Sequence, residues 1–182
     1  MEHISQILTN NKNILEINYD FNKYRINYNS FFKTKQDELK VRYDNLQDII
    51  TVLNKYKIQY WLQGKTMLGI CKYSKLLEND TDEDIGLDYK SIFTICTTVI
   101  PELIKIGFKV IRATKNNSMV SVIRNNRYLD FCFFRSTETE YFYEQKRFPK
   151  HFYDNIITIN VNNFSYCIPK KYNEICKYSY NI

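Results

Sequence analysis

The sequence predicts an α+β domain in which a mixed β-sheet is flanked by helices. Three observations carry that expectation. Between Lys35 and Tyr56, apolar residues recur at Leu39, Tyr43, Leu46, Ile50 and Leu53, the alternating steps of four and three that mark one face of a helix. From Phe108 onward, short runs rich in β-branched and aromatic residues follow one another, as in neighbouring strands. The gaps at Asn125-Asn126 and Asn162-Asn163 each hold a pair suited to closing a tight hairpin. At 182 residues the chain is long enough for one domain with a real core and too short for two of ordinary size.

Each element can be justified in turn. Residues 1–34 are polar and aromatic without strong periodicity, and read as an N-terminal extension packed on or leading into a domain spanning 35–182. A short helix followed by a strand or arm is expected there. After the first helix, Ile58–Leu62 reads as a strand and Thr66–Tyr73 as a short helix opened by a glycine turn. The acidic segment that follows is expected to be loop up to Thr81 and strand from Asp84 to Asp88. Ser91–Ile106 reads as a helix in spite of Pro101, with Gly107 as its C-terminal stop. Strands are expected at Phe108–Arg112, Met119–Arg124 and Tyr128–Arg135, the last two joined at Asn125-Asn126. Ile156–Ile168 holds a further hairpin around Asn162-Asn163, and a final helix is expected to begin near Pro169. No repeat, low-complexity linker or Pro/Gly-rich boundary interrupts this order.

Composition removes several function classes. The net charge of +6 and a pI near 8.9 favour polyanionic partners such as nucleotides, phosphosugars or nucleic acid. The tyrosines and lysines are scattered rather than gathered into a stripe, which argues against a nucleic-acid-binding module. The five cysteines form no C-x-x-C pair, so neither a zinc site nor a disulfide framework is signalled; Cys96 and Cys132, inside apolar runs, read as core. With His3 and His151 the only histidines, most His-based mechanisms are removed, and His151 reads as a surface residue. No stretch approaches the roughly 20 apolar residues of a membrane span, and the N-terminus lacks the layout of a signal peptide. The expectation is a soluble, cytoplasmic protein, in a cytosolic or virus-like setting.

The chemistry concentrates between Trp61 and Asp88. Asp82 and Asp84, two apart, share one face if their segment is a strand. About 6 Å apart, two such charges repel by roughly 2–3 kcal/mol at an effective dielectric near 20, a cost that a bound cation removes. Their hard oxygens suit Mg²⁺ or Mn²⁺ rather than zinc. Asp80 and Glu83 either add to the acidic patch or cap the turn. Asp130 sits alone in the apolar run Tyr128–Phe134, where a lone buried charge is costly. It either joins a cation site or pairs with Arg112, Arg124 or Arg127. Those arginines line a phosphate-binding face or are ordinary strand-surface charges. Gly64-Lys65-Thr66 resembles the tail of a P-loop, but the glycine which that motif needs five positions earlier is Gln59. The turn still opens a helix, where backbone N–H groups can take a phosphate or simply make a tight bend. Trp61, beside it, reads as core.

These features, in this order, resemble the LicD/fukutin group of transferases, whose fold is that of the nucleotidyltransferases. The group has a glycine turn of the Gly-Thr-Leu-Leu-Gly kind with a following basic residue, here Lys65-Thr66-Met67-Leu68-Gly69 with Lys72, Gly64 standing one place before Lys65. Its Asp-x-Asp-Ile-Gly segment reads Asp82-Glu83-Asp84-Ile85-Gly86, and its later hydrophobic–Asp–hydrophobic strand reads Leu129-Asp130-Phe131. A Phe-Pro segment, a strand and an Ile-Pro lead into a last helix with a late tyrosine match Phe148-Pro149, Ile156–Val161, Ile168-Pro169 and Tyr178. The resemblance spans roughly Lys35 to Tyr178. It implies a metal-dependent enzyme that moves a phosphorylated alcohol, such as phosphocholine or ribitol phosphate, from a CDP-linked donor to a glycan hydroxyl. Asp82 and Asp84 would hold Mg²⁺ or Mn²⁺ on the donor diphosphate, and Asp130 would share the metal or activate the acceptor hydroxyl. Gly64, Lys65, Thr66, Gly69 and Lys72 would hold phosphate.

Overall fold

A computed structural model describes residues 32–114 and 116–182. Almost all of the extension proposed for residues 1–34 therefore lies outside the described residues. The first helix, α1 (Lys35–Lys55), starts where the chain can satisfy its free N–H groups. Thr34 Oγ1 accepts from the Asp37 amide while the Asp37 carboxylate accepts from the Thr34 amide, both at 3.1 Å. Strand β1 (Tyr60–Gln63) lies two residues later at its start than expected, and α2 (Gly64–Tyr73) follows without a linker. β2 (Glu83–Asp88) carries the acidic segment.

The helical stretch after β2 is broken into pieces: α3 (Ile92–Thr94), a π-helical turn (Ile95–Val99) and α4 (Ile100–Lys105). Pro101 has no N–H to bond back to Thr97, and the wider turn just before it accommodates that loss. The apolar face therefore stays continuous, with Ile95, Cys96, Val99, Ile100 and Leu103 all in the core. Gly107, at φ +96°, ends it as expected. β3 (Lys109–Ala113), β4 (Met119–Arg124) and β5 (Arg127–Ser136) follow. Asn125 and Asn126 both take positive φ, the backbone of the expected two-residue hairpin. A hairpin absent from the sequence reading comes next, β6 (Glu140–Tyr143) and β7 (Lys146–Pro149). β8 (Ile156–Val161) and β9 (Phe164–Pro169) form the expected hairpin around Asn162-Asn163. Pro169 closes β9 opposite Ile156 instead of opening the last helix, α5 (Tyr172–Tyr180), which starts three residues on.

The main sheet has the order β1-β2-β5-β4-β3, with the β6–β7 hairpin continuing from the end of β5. Only β2 and β5 run parallel; every other pair is antiparallel. The β8–β9 hairpin stands apart and is tied to β1 by the Cys167 amide donating to the Tyr60 hydroxyl at 3.4 Å. One continuous apolar core joins α1, the sheet and both flanking helical regions.

α1 covers the back of the sheet with a wider face than its apolar residues alone mark. Leu46, Ile50 and Leu53 are buried as expected, but so are Arg42 and Asn45. The Asn45 amide donates to the Arg124 and Arg127 carbonyls at 2.9 and 3.3 Å, gripping the β4–β5 turn. Arg124 reaches Asp48 and Arg127 reaches Glu38, so these two arginines are fastened to α1. No helix among the described residues is long and apolar enough to cross a membrane.

Candidate active site

Strand registers bring polar residues from distant positions into one line. Gln63 on β1 lies opposite Asp84 on β2, and Asp84 opposite Asp130 on β5. Asp130 lies opposite Ser121 on β4, and Ser121 opposite Arg112 on β3. Cross-strand partners share a face of the sheet, so a single polar row crosses five strands. Asp82, just ahead of β2, is two residues from Asp84 and joins the row from its end. The carboxylate oxygens of Asp82, Asp84 and Asp130 lie within 4.8 Å of one another. They stand in a cavity of about 670 Å³ lined also by Gln63, Gly64, Arg112, Cys132, Tyr143 and Lys146.

Each acid is held by its neighbours. Asp130 is 3% exposed. Arg112 Nη2 donates to its Oδ2 at 2.6 Å, and the Ser121 hydroxyl, itself bonded by Arg112 Nε at 2.8 Å, donates to its Oδ1. Asp130 thus pairs with Arg112, one of the partners weighed for it, and also faces the other two acids. Two carboxylate oxygens offer about four lone-pair sites, so these bonds leave room for a further cation. Asp84 is placed through its backbone, whose N–H donates to Thr66 Oγ1 at 2.9 Å, and the Cys132 thiol lies 3.6 Å from its Oδ1.

The glycine at 64 is a requirement of this packing. Its φ is +62°, and a Cβ built there would stand 2.7 Å from Asp84 Oδ2. The start of α2 and the carboxylate of Asp84 therefore share space that only glycine leaves open.

The electrostatics follow. Burial pushes the Asp84 carboxyl well above the usual range, and the charges of Asp130, Asp82 and Asp80 push it further. Burial raises Asp130 to about 6, with Arg112 and Ser121 pulling the other way. At 4.8 Å, each pair of charged carboxylates repels by roughly 3 kcal/mol at an effective dielectric near 20. Arg112 alone does not balance the three acids, and a divalent cation would.

Glu83 behaves otherwise. Strand alternation turns it to the opposite face of β2, where it is 1% exposed and bonded by Arg42 Nε at 2.7 Å. Arg42 Nη1 also donates to the Leu77 carbonyl at 2.9 Å. Glu83 therefore belongs neither to the acidic patch nor to a turn cap. Asp80 is also outside the cavity lining; it pairs with Lys65 at 3.3 Å.

The family described as LicD/FKTN/FKRP, nucleotidyltransferase domain, matches residues 57–171, more than half of the chain. The chain belongs to this family. An uncharacterised protein of Rickettsia typhi is 25% identical over 128 residues, covering 63% of this chain and 40% of its own length. The chain thus spans well under half of that relative. Among solved structures, the lincosamide antibiotic adenylyltransferase LnuA, lincomycin-bound, is similar with a TM-score of 0.51 at 19% identity, over 76% of this chain and 87% of that one. ANT(2")-Ia in complex with adenylyl-2"-tobramycin is similar with a TM-score of 0.51 at 10% identity, over 81% and 80%. These likenesses show the nucleotidyltransferase fold, in agreement with the mixed sheet and its helices.

The remaining positions of the LicD/fukutin pattern divide. Gly64 and the Asp82, Asp84 and Asp130 carboxylates line the cavity, as does Tyr178. Lys65, Thr66, Gly69 and Lys72, expected to hold phosphate, do not. Lys65 turns to Asp80 and Thr66 is buried against the β2 backbone. Gly69 is needed for packing, because a Cβ there would meet the Lys75 carbonyl oxygen at 2.6 Å. Lys72 lies in the last turn of α2, away from its start at Gly64. Of the three arginines weighed for a phosphate face, only Arg112 reaches the cavity. Trp61 is core, as expected, and bonds Gln63 at 3.2 Å. Cys132, read as plain core, is buried and also lines the cavity. Tyr143 and Lys146 gave no signal of their own, and the one cue to Ser121 is a polar serine inside an apolar strand.

Proposed function

We propose that this chain is a metal-dependent transferase that moves a phosphorylated alcohol, phosphocholine- or ribitol-phosphate-like, from a CDP-linked donor to a glycan hydroxyl. The observation that supports it is the convergence of Asp82, Asp84 and Asp130 within 4.8 Å in a cavity large enough for a nucleotide-sized ligand. The donor set fits a hard divalent cation, since it offers carboxylate oxygens from three positions and the nearby Cys132 thiol is raised far above its ordinary range by burial and stays protonated. Asp82, Asp84 and Asp130 would hold Mg²⁺ or Mn²⁺, which supplies neutralisation of the charge on the phosphates during transfer.

The protein's own groups do the rest. Arg112 and Ser121 fix the orientation of Asp130 by occupying one lone pair on each oxygen. Thr66 fixes Asp84 through its backbone, and the Gly64 bend leaves the carboxylate its place. As the alternative to sharing the metal, Asp130, which burial raises to about 6 in the metal-free protein, would receive the proton of an attacking hydroxyl at its carboxylate. Lys146 and Arg112 add positive charge along the cavity wall for the donor's phosphates.

The test supplies CDP-choline and CDP-ribitol with Mg²⁺ and a panel of glycans, and reads products by mass spectrometry. Release of CMP with gain of a phosphoalcohol on the glycan is expected. A second reading is favoured by the likeness to the lincosamide antibiotic adenylyltransferase LnuA: transfer of the nucleotide itself. It predicts pyrophosphate release from a nucleoside triphosphate and a nucleoside monophosphate on the acceptor. Absence of any Mg²⁺-dependent binding of CDP, CTP, CDP-choline or CDP-ribitol in a thermal-shift panel would remove both.

A further inference from the structure

The cavity that holds the acids also has a lining of different chemistry. Along the β6–β7 hairpin, the pairs Tyr143↔Lys146 and Tyr141↔Phe148 put these four residues on one face. α5 comes down beside this face and sets the Tyr178 ring 6.0 Å from Phe148 and 5.7 Å from Phe152. Phe148 and Phe152 are buried, whereas Tyr178 stays 57% exposed and lines the cavity. A large ring anchored to two buried rings, with much of its surface open at the cavity, is a ready surface for another flat ring. Its orientation costs little to fix on binding. Lys146 is exposed, lines the same cavity and makes no ion pair among the described residues. Along β7, Phe148 lies against Tyr178 and Lys146 lies opposite Tyr143, so one cavity wall holds an aromatic face, a cation and the cluster of carboxylates. A base, a phosphate chain and a phosphate-bound metal are the groups that match these three. A sugar ring could use the aromatic face, but it has no use for the lysine beside it.

We propose that Tyr178 stacks the base of the nucleotide donor, with Lys146 drawing in its phosphates. The inference rests on the nucleotide-donor reading above and assigns the donor's orientation in the cavity. Stacking requires only a π-face, so the phenol oxygen of Tyr178 is dispensable and its ring is not.

The experiment titrates CDP and inorganic pyrophosphate, each with Mg²⁺, into the full chain and into Tyr178→Phe, Tyr178→Ala and Lys146→Ala by calorimetry. Tyr178→Ala is expected to weaken CDP roughly ten- to a hundredfold and leave pyrophosphate unchanged, while Tyr178→Phe keeps both within about twofold of the parent. Lys146→Ala is expected to weaken both ligands together. Equal CDP affinity in Tyr178→Ala and the parent would overturn the proposal while leaving the donor reading intact. So would equal losses of CDP and pyrophosphate, which mean a disturbed cavity, or a loss confined to an added glycan acceptor. A parent protein that binds neither CDP nor pyrophosphate would remove the donor reading and this inference with it.

Discussion

On the back of β2, Glu83 meets Arg42 at 2.7 Å and both side chains are 1% exposed. On the front, one residue away on each side, Asp82 and Asp84 meet Asp130 and a thiol in an open cavity. The same short acidic run is thus treated in two ways. Behind the sheet, a fixed cation from α1 matches the charge one for one and seals it from water, fastening helix to strand. In front, among the described residues, the carboxylates outnumber the one guanidinium that bonds them, and the excess is open to a cation from solution. A buried acid with a built-in partner is structure; neighbouring acids without enough partners mark a place for chemistry.

Breaking the back should cost the most stability. Arg42→Met leaves Glu83 buried without its partner and is expected to destabilise the protein by about 3–5 kcal/mol in urea unfolding. Burial already raises Glu83 from 4.5 to about 7, with Arg42 holding it down. An acid whose folded value is raised favours the folded state below its unfolded value and loses that advantage as pH rises through the folded one. The defect in Arg42→Met should therefore shrink on acidification from pH 8 to pH 5; a defect independent of pH would refute this account.

Breaking the front should spare the fold and remove the activity. Asp84→Ala deletes one of three mutually repelling charges, so urea unfolding in the absence of metal is expected to be unchanged or slightly later. Turnover is expected to fall on the order of 10²–10³-fold or more, the scale of losing a preorganised electrostatic contact. Retained activity would take the metal role away from Asp84.

The contrast sharpens with added metal. Mg²⁺ or Mn²⁺ at about 100 times its dissociation constant should stabilise the parent by about 2.7 kcal/mol, seen as a rise in Tm, and should do so far less in Asp84→Ala. Protons compete for the same oxygens, and burial raises Asp130 to about 6 in the metal-free protein, so the rise should shrink as pH drops through that value. A rise as large at pH 5 as at pH 8 would place the ion elsewhere. Gly64→Ala is the mildest of these changes: about 1–2 kcal/mol for a left-handed non-glycine residue, with weaker metal binding because the new methyl displaces Asp84 Oδ2.

How far this was legible in the sequence depends on the range of the interaction. The period of α1, the Asn-Asn turns and the stop at Gly107 are local, and the structure has each of them. So is the i, i+2 relation of Asp82 and Asp84. The β6–β7 hairpin was missed because its turn is Glu144-Gln145, where a positive φ of 53° at Glu144 does the work that Asn or Gly usually signals. Pro169 was misassigned because a proline fits the last position of an outer hairpin as well as the start of a helix. Arg42 and Glu83 were not recognised as a pair, since nothing in either neighbourhood points across 41 residues. Arg112 and Asp130 were each visible as polar interruptions, and only strand pairing decides that they touch each other and Ser121. The basic turn residues Lys65 and Lys72 show the same limit from the other side. Their resemblance to a phosphate site is local, whereas the pairing of Lys65 with Asp80 and the absence of both lysines from the cavity lining follow from the packing of the helix.

The line Gln63, Asp84, Asp130, Ser121 and Arg112 has a bearing on how errors in this protein would show themselves. Each member owes its presence to the parity of its own strand, so sliding any one strand by a single position would swing that residue to the far side of the sheet. A molecule misaligned at β2 or β5 could retain most of its helices and much of its hydrophobic interior while no longer bringing Asp82, Asp84 and Asp130 together. Under the proposed metal role, affinity for a divalent ion therefore gauges the alignment of these two strands, more discriminatingly than circular dichroism or compactness. Single-residue deletions within any of these five strands should be far less tolerated than deletions of the same size in the loops between them.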